Sequence, residues 1–330
     1  DPDATKPYRT LAEAAKAKGM KVGIVSSVSI DHATPAVFYS HTESRNNYEE
    51  IGAQLLESGF DYFAGGGFRV NKYKSAAYEG MSNEERYARV EEIAVANGFK
   101  FANTRAEFDA LRRRDGRVIA INPYLDGSNA MPYALNRMAA DGEGETYDGS
   151  ISLAEFTKKG IKLMKKNPQG FFMMVEGGKI DWACHANDAR AAIEDTIAFD
   201  NAIAEAVKFA RRHPFETLIV VTGDHECGGM TLGFAGTGYD TFFEKMAAQR
   251  IAYDDFGSTV LADYKAANET VPADIDAAMW QIILDNFGLD GAALTDDTAD
   301  DLTAYEISLL EDAFDKTMTG SNGNPGEENN

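Results

Sequence analysis

The chain has 330 residues, of which 44% are hydrophobic and 11% aromatic. That is enough apolar material for one large domain or a domain with an insert, and it argues against a chain that is disordered in bulk. Lysine and arginine total 32 against 53 acids, a formal charge of −21, which weighs against nucleic acid and anionic membrane surfaces as partners. Taking the elements in order, Leu11 to Gly19 reads as the end of an amphipathic helix stopped by glycine. Lys21 to Val25 is a short apolar strand. Asp31-His32-Ala33-Thr34-Pro35 reads as a helix start, with a second near Asn46-Asn47 and helical spacing over Glu49 to Leu56. Asp61 to Ala64, followed by Gly65-Gly66-Gly67, reads as strand and tight loop. Helix is expected over Asn83 to Ala96, and strand over Arg117 to Ile121.

Beyond the Gly- and Asp-rich stretch 141–149 the pattern strengthens. Leu153 to Lys165 is helical, and Gly170 to Val175 is a continuous apolar run, the mark of a strand buried on both faces. Asn187 to Arg211 is a long helix, and Glu216 to Val221 is a second fully buried strand. Helices alternating with buried strands imply a three-layer α/β/α sandwich around a largely parallel, doubly wound sheet. From about residue 238 the segments 240–250, 273–286 and 303–318 look helical with acidic connections. The expected organisation is an α/β core over 1–237, a helical C-terminal insertion or appendage over 238–319, and a disordered polar tail over 320–330. Two cysteines, Cys184 and Cys227, are too few for a disulfide framework. No apolar run approaches the roughly 20 residues that span a bilayer. The start at Asp1-Pro2-Asp3, without Met or a visible signal peptide, suggests a chain that begins inside a longer one.

In an open parallel sheet, sites form beyond the carboxyl ends of the strands. The run ending at Val175 delivers Glu176, Asp181 and His185. The run ending at Val221 delivers Asp224 and His225, and the strand ending near Val25 leads to His32, Thr34 and Arg45. Asp181 and His185, four apart, share one helix face, and carboxylate plus imidazole is a zinc-type donor set. Glu176 offers oxygen to a harder ion such as magnesium. Bland readings stand beside these. Asp-x-x-x-His can be an exposed helix pair, Asp224 a turn cap, His225 a satisfied buried histidine, Thr34 a helix cap and Arg45 a surface arginine. A Cys/His site built from Cys184, His185, His225 and Cys227 is a rival, and the plain reading of both cysteines is small buried hydrophobes. On a single straight helix, Thr34 and Arg45 would lie about 16 Å apart. For both to serve one site, the helix should end near His41 to Ser44.

Val22 to Asn47, Phe171 to His185 and Leu218 to His225 together resemble the alkaline phosphatase family, over roughly residues 8 to 235. The resemblance implies two zinc ions, one magnesium ion and hydrolysis of small-molecule phosphate monoesters through a phosphoserine intermediate. Carried over, Asp181 and His185 resemble ligands of the first zinc, and Asp224 and His225 ligands of the second. Glu176 and Thr34 resemble magnesium ligands, and Arg45 resembles the phosphate-clamping arginine. His32 and Trp182 match variable positions beside the metals. Bound cations would answer the objection that so acidic a protein should repel phosphate esters. The family's Asp-Ser-Ala nucleophile motif and its early bridging aspartate are missing, and no histidine follows His225. Each metal site is therefore short of a ligand, and the expectation is truncation at both ends, with the chain itself inactive. The alternatives are a related metal-dependent hydrolase (sulfatase or phosphodiesterase) or a non-catalytic metal-binding fragment. The family also implies a periplasmic or secreted location and, in many relatives, a homodimer.

Overall fold

A computed structural model describes residues 6–143, 147–233, 235, 238–268, 274–290 and 302–319. The tail expected to be disordered, 320–330, lies outside the described residues. In chain order the first part comprises α1 (Leu11–Ala17), β1 (Lys21–Ser26), α2 (Ala33–Ala36), α3 (Tyr48–Glu57), β2 (Tyr62–Gly65), α4 (Asn83–Ala96), β3 (Phe99–Ala102), α5 (Arg105–Ala110) and β4 (Arg117–Ile121). It continues with α6 (Ala134–Glu143), α7 (Leu153–Met164), β5 (Phe171–Glu176), α8 (Lys179–His185) and α9 (Ala189–Ala210). Four of these helices start on a Ser/Thr-x-x-Glu box: Thr10 with Glu13, Ser82 with Glu85, Thr104 with Glu107, and Ser152 with Glu155. In each, the hydroxyl accepts from the backbone N–H of the glutamate while the carboxylate accepts from the cap N–H, so two orphan donors are met at once.

The five strands form one wholly parallel sheet in the order β3-β4-β2-β1-β5. Alternate side chains feed two cores. Val22, Ile24, Phe63, Ile119 and Ile121 pack with α1, α3 and α4 on one face. Tyr62, Ala64, Val118 and Ala120 pack with α5 and α7 on the other. Both faces are thus covered, as a parallel sheet requires, and the expected α/β sandwich with its parallel sheet is what the chain forms. β1 is an interior strand between β2 and β5, buried from Val22 to Ser26, so whatever follows it emerges away from the sheet's edges.

Two strand expectations need correction. β5 forms in place, but all six residues are only half-buried, because it pairs with β1 alone and its other edge carries no strand among the described residues. Residues 216–221 form no strand at all. Leu218 is 87% exposed, Val220 74% and Val221 57%. A fully apolar strand needs a ladder partner and cover on both faces, and no described element supplies either.

The chain divides into two compact units. The first holds residues 1–182 and 192–226, the second 183–191 and 227–330. The second is helical: α10 (Glu244–Ala247), α11 (Tyr253–Asp255) running through a π turn into α12 (Leu261–Ala267), α13 (Ala277–Phe287) and α14 (Ala304–Thr319). Tyr264, Ile275, Met279, Ile283 and Phe314 form its core. The helix expected over 240–250 shrinks to one turn, while that over 253–267 has no counterpart in the sequence reading. Asp188, buried, accepts from the backbone N–H of Ala191 and Tyr253, both at 3.0 Å, and from Gln249 at 2.9 Å.

Candidate functional site

The loop after β1 is held by backbone contact on several sides. The Ser27 N–H donates to the Glu176 carbonyl at 3.1 Å, Met131 to Ser27 at 2.8 Å, and Ile30 to Gly67 at 2.9 Å. Asp31, fully buried, accepts from the Arg69 N–H at 2.9 Å and from the Tyr73 hydroxyl at 3.2 Å. Burial pushes its pKa up to about 6, against the pull of those donors. α2 ends at Ala36, well before the His41–Ser44 region expected from the sequence. The chain then turns back and returns Arg45 toward His32. Thr34 lies inside α2 rather than capping it, and His32 holds the cap position.

Two groups of side chains gather here. In the first, Glu176 accepts from the hydroxyls of Ser26 and Thr34. Its pKa is raised, first by burial and then by the negative charges of Asp224 and Asp181. In the second, a guanidinium nitrogen of Arg45 lies 3.3 Å from Nε2 of His32, and the Trp182 ring meets His32 edge-on at 5.7 Å. Arginine can only donate, so Nε2 accepts and the proton sits on Nδ1, which is buried without a hydrogen-bond partner. Burial, then the charges of Arg45 and Arg69, hold the His32 pKa down to about 4, leaving the ring neutral at physiological pH.

The first unit thus brings together Thr34, Glu176, Asp181 and Asp224 electrostatically, and His32, Arg45 and Trp182 by contact. Asp224 and His225 follow the exposed 216–221 stretch and are exposed themselves. His225 Nδ1 donates to the Glu226 carbonyl at 2.9 Å, and its Nε2 faces an Asp224 oxygen at 3.5 Å. The carbonyl contact and then the Asp224 charge raise its pKa. His225 is therefore not the satisfied buried histidine of the bland reading. Asp181 and His185 stand one helical turn apart on α8. In the second unit, ligand atoms of His185 and Cys227 approach within 4.8 Å. Both cysteines are half-buried thiols rather than small core hydrophobes.

Sequence reasoning missed Ser26, Lys179 and Asp126. Lys179 is completely buried, with its ammonium 2.6 Å from Asp126 Oδ2. The available signals were weak: a Ser-Ser pair closing an apolar strand, and a lysine directly after Glu176-Gly177-Gly178.

Comparison with known proteins sharpens the reading. A sequence profile described as Alkaline phosphatase matches residues 2–281. Alkaline phosphatase 3 of Bacillus subtilis is 34% identical over 270 residues, covering 81% of this chain and 53% of that protein. The alkaline phosphatase of Escherichia coli is 28% identical over 257 residues, covering 67% and 52%. The chain spans about half the length of these relatives. Among solved structures, a cold-active alkaline phosphatase from a psychrophilic Shewanella matches with a TM-score of 0.70 at 26% identity, over 96% of this chain and 66% of that one. A variant of the enzyme from the Antarctic bacterium TAB5, solved with Mg bound in its M3 site, matches with a TM-score of 0.51 at 32% identity, over 68% and 57%. The profile runs through most of the sequence, and the fold agrees with it: the chain belongs to the alkaline phosphatase family.

Proposed function

We propose that this chain carries the metal-binding and phosphate-clamping part of a zinc- and magnesium-dependent phosphate monoester hydrolase. The observation that carries the reading is the half-buried Glu176 carboxylate, hydrogen-bonded by Ser26 and Thr34 and facing the charges of Asp181 and Asp224. A carboxylate whose pKa is raised by burial and by neighbouring acids calls for a cation. The donors fit the ions. Glu176 and Thr34 offer the oxygen that magnesium prefers, while Asp181 with His185, and Asp224 with His225, offer carboxylate and imidazole to two zinc ions. Bound there, the ions would supply positive charge to activate an attacking hydroxyl and to stabilise a departing alkoxide.

The chain's own residues hold the substrate. Arg45 presents parallel N–H donors suited to two phosphate oxygens. His32 stays neutral and accepts from the guanidinium, so it orients Arg45 without adding charge. The chain contains no Asp-Ser-Ala sequence and no histidine after His225, so the 330 residues alone are proposed to be inactive, with the phosphoserine step completed by residues they do not include. A periplasmic or secreted location and a homodimer accompany this reading through the family resemblance alone.

Inorganic phosphate binding tests the clamp on the chain itself. With zinc and magnesium present, Arg45→Ala should weaken phosphate about 10- to 100-fold by calorimetry, since hydrogen bonds to charged groups contribute roughly 1.5–3 kcal/mol. Arg45→Lys should recover only part of that. Equal phosphate affinity in wild type and Arg45→Ala would remove Arg45 from the site. Sulfate monoesters and phosphodiesters in a parallel assay separate the monoesterase from its metal-dependent relatives.

A further inference from the structure

Lys179 is the buried cation that the proposed function leaves unused. Its side chain is wholly inaccessible, and its ammonium donates to Asp126 Oδ2 at 2.6 Å. Asp126 is itself immobilised. Its Oδ1 accepts from the N–H of Ser128 at 2.8 Å and of Ala130 at 2.9 Å, which closes the loop after β4. The same ammonium lies 3.6 Å from the Tyr133 ring centroid and 4.9 Å from the Trp182 ring. The Lys179 backbone N–H donates to Ser27 Oγ at 3.0 Å, tying the start of α8 to the end of β1. One residue thus links the β1 and β4 loops to the ring that meets His32, which in turn meets Arg45.

Burying a lysine against a carboxylate is a poor way to stabilise a core, since two apolar groups of similar volume commonly do as well or better. Its effect lies in orientation. A cation fixed in front of an aromatic face holds that ring at one distance and tilt, and a ring so held limits where its edge-on neighbour can lie. We propose that Lys179, pinned by Asp126, is a positioning residue that sets the Trp182 ring against His32 and thereby aims the Arg45 guanidinium. The proposal rests on Arg45 being the phosphate clamp, but the placement of Trp182 is measurable without any phosphate.

Trp280 is the only other tryptophan, so a Trp280→Phe background isolates Trp182 emission. Lys179→Met alone would strand the Asp126 charge and destabilise the fold, so the deciding variant is Lys179→Met with Asp126→Asn, which is neutral and keeps the Oδ1 acceptor of the loop. The double variant is expected to change acrylamide quenching of Trp182 by about twofold or more, and to weaken inorganic phosphate by about fivefold or more; Lys179→Arg, which keeps the charge and the ring contact, should stay within about twofold on both. A double variant that loses only thermal stability, with quenching and phosphate affinity unchanged, would overturn the proposal and leave Lys179 a packing residue. If the parent chain binds no phosphate, the clamp reading of Arg45 falls, and the quenching comparison alone decides whether Lys179 places Trp182.

Discussion

Gly65→Ala is expected to destabilise the protein more than any side-chain truncation around the site, by about 4 kcal/mol, combining backbone strain and overpacking of roughly 1–3 kcal/mol each. Gly65 ends β2 with a φ of +122°, where a Cβ is strained in any surroundings. An added Cβ would also lie 1.8 Å from the carbonyl oxygen of Ser26. That oxygen belongs to the interior strand β1 and accepts from the Gly66 N–H at 3.1 Å, so it has no room to retreat. The midpoint of thermal unfolding should fall by roughly 10 °C. Gly127→Ala is the control. A Cβ there meets nothing within 4 Å, and the change should be small. Circular dichroism melts of both variants check the difference, and equal midpoints would show that β1 and β2 approach less closely than described. Because the displaced group is Ser26, whose hydroxyl donates to Glu176, Gly65→Ala should also disturb metal affinity.

Asp31→Asn should reshape the pH dependence of stability. Asp31 has a folded pKa of about 6 against an ordinary 3.8. A raised carboxyl favours the folded state most below its ordinary pKa, and that contribution is lost as pH rises through about 6. The whole span amounts to about 3 kcal/mol, of which roughly 1.4 kcal/mol falls between pH 5 and 7. His32 has the opposite sign. Its pKa is depressed from 6.5 to about 4, so its contribution is full above 6.5 and lost as pH falls toward 4. In the wild type the two slopes oppose each other between pH 4 and 6 and flatten the profile. Removing the Asp31 term should uncover the His32 slope. The stability gained from pH 5 to pH 7 should therefore be larger in Asp31→Asn than in wild type by roughly 1.4 kcal/mol. Urea titrations at pH 5, 6 and 7, kept above the sequence pI of 4.6, give this difference directly. Parallel profiles would mean that Asp31 does not titrate in that range.

Much of the sheet was legible because local and tertiary signals agree there. α4 begins after a Ser82 cap with Glu85 three residues on, and β4 is a five-residue apolar strand; both were placed from sequence with the right ends. The 216–221 stretch shows where sequence stops informing. Its apolar run reports the burial the segment is suited to, not whether a neighbour is there to bury it. The acids and histidines of the proposed site stand out in the sequence because each follows an apolar run in a spacing that few structural roles require. Ser26 and Lys179 do not, since serine and lysine are ordinary surface residues. Ser26 matters because the Gly65 backbone presses against its own, and Lys179 because Asp126 and two aromatic rings enclose it. Arg45 is legible as a candidate clamp, but the early end of α2 at Ala36, after which the chain returns Arg45 to His32, is not.

The most direct measurement is hydrolysis of p-nitrophenyl phosphate at alkaline pH by the protein expressed from its whole gene, before chelation, after it, and after zinc and magnesium are restored. Activity should vanish with the metals, return with them, and fall about 10- to 100-fold in Arg45→Ala. Turnover that survives chelation, or a protein with both ions bound that releases no p-nitrophenol, would contradict a metal-dependent phosphate monoester site built on Glu176, Asp181 and Asp224.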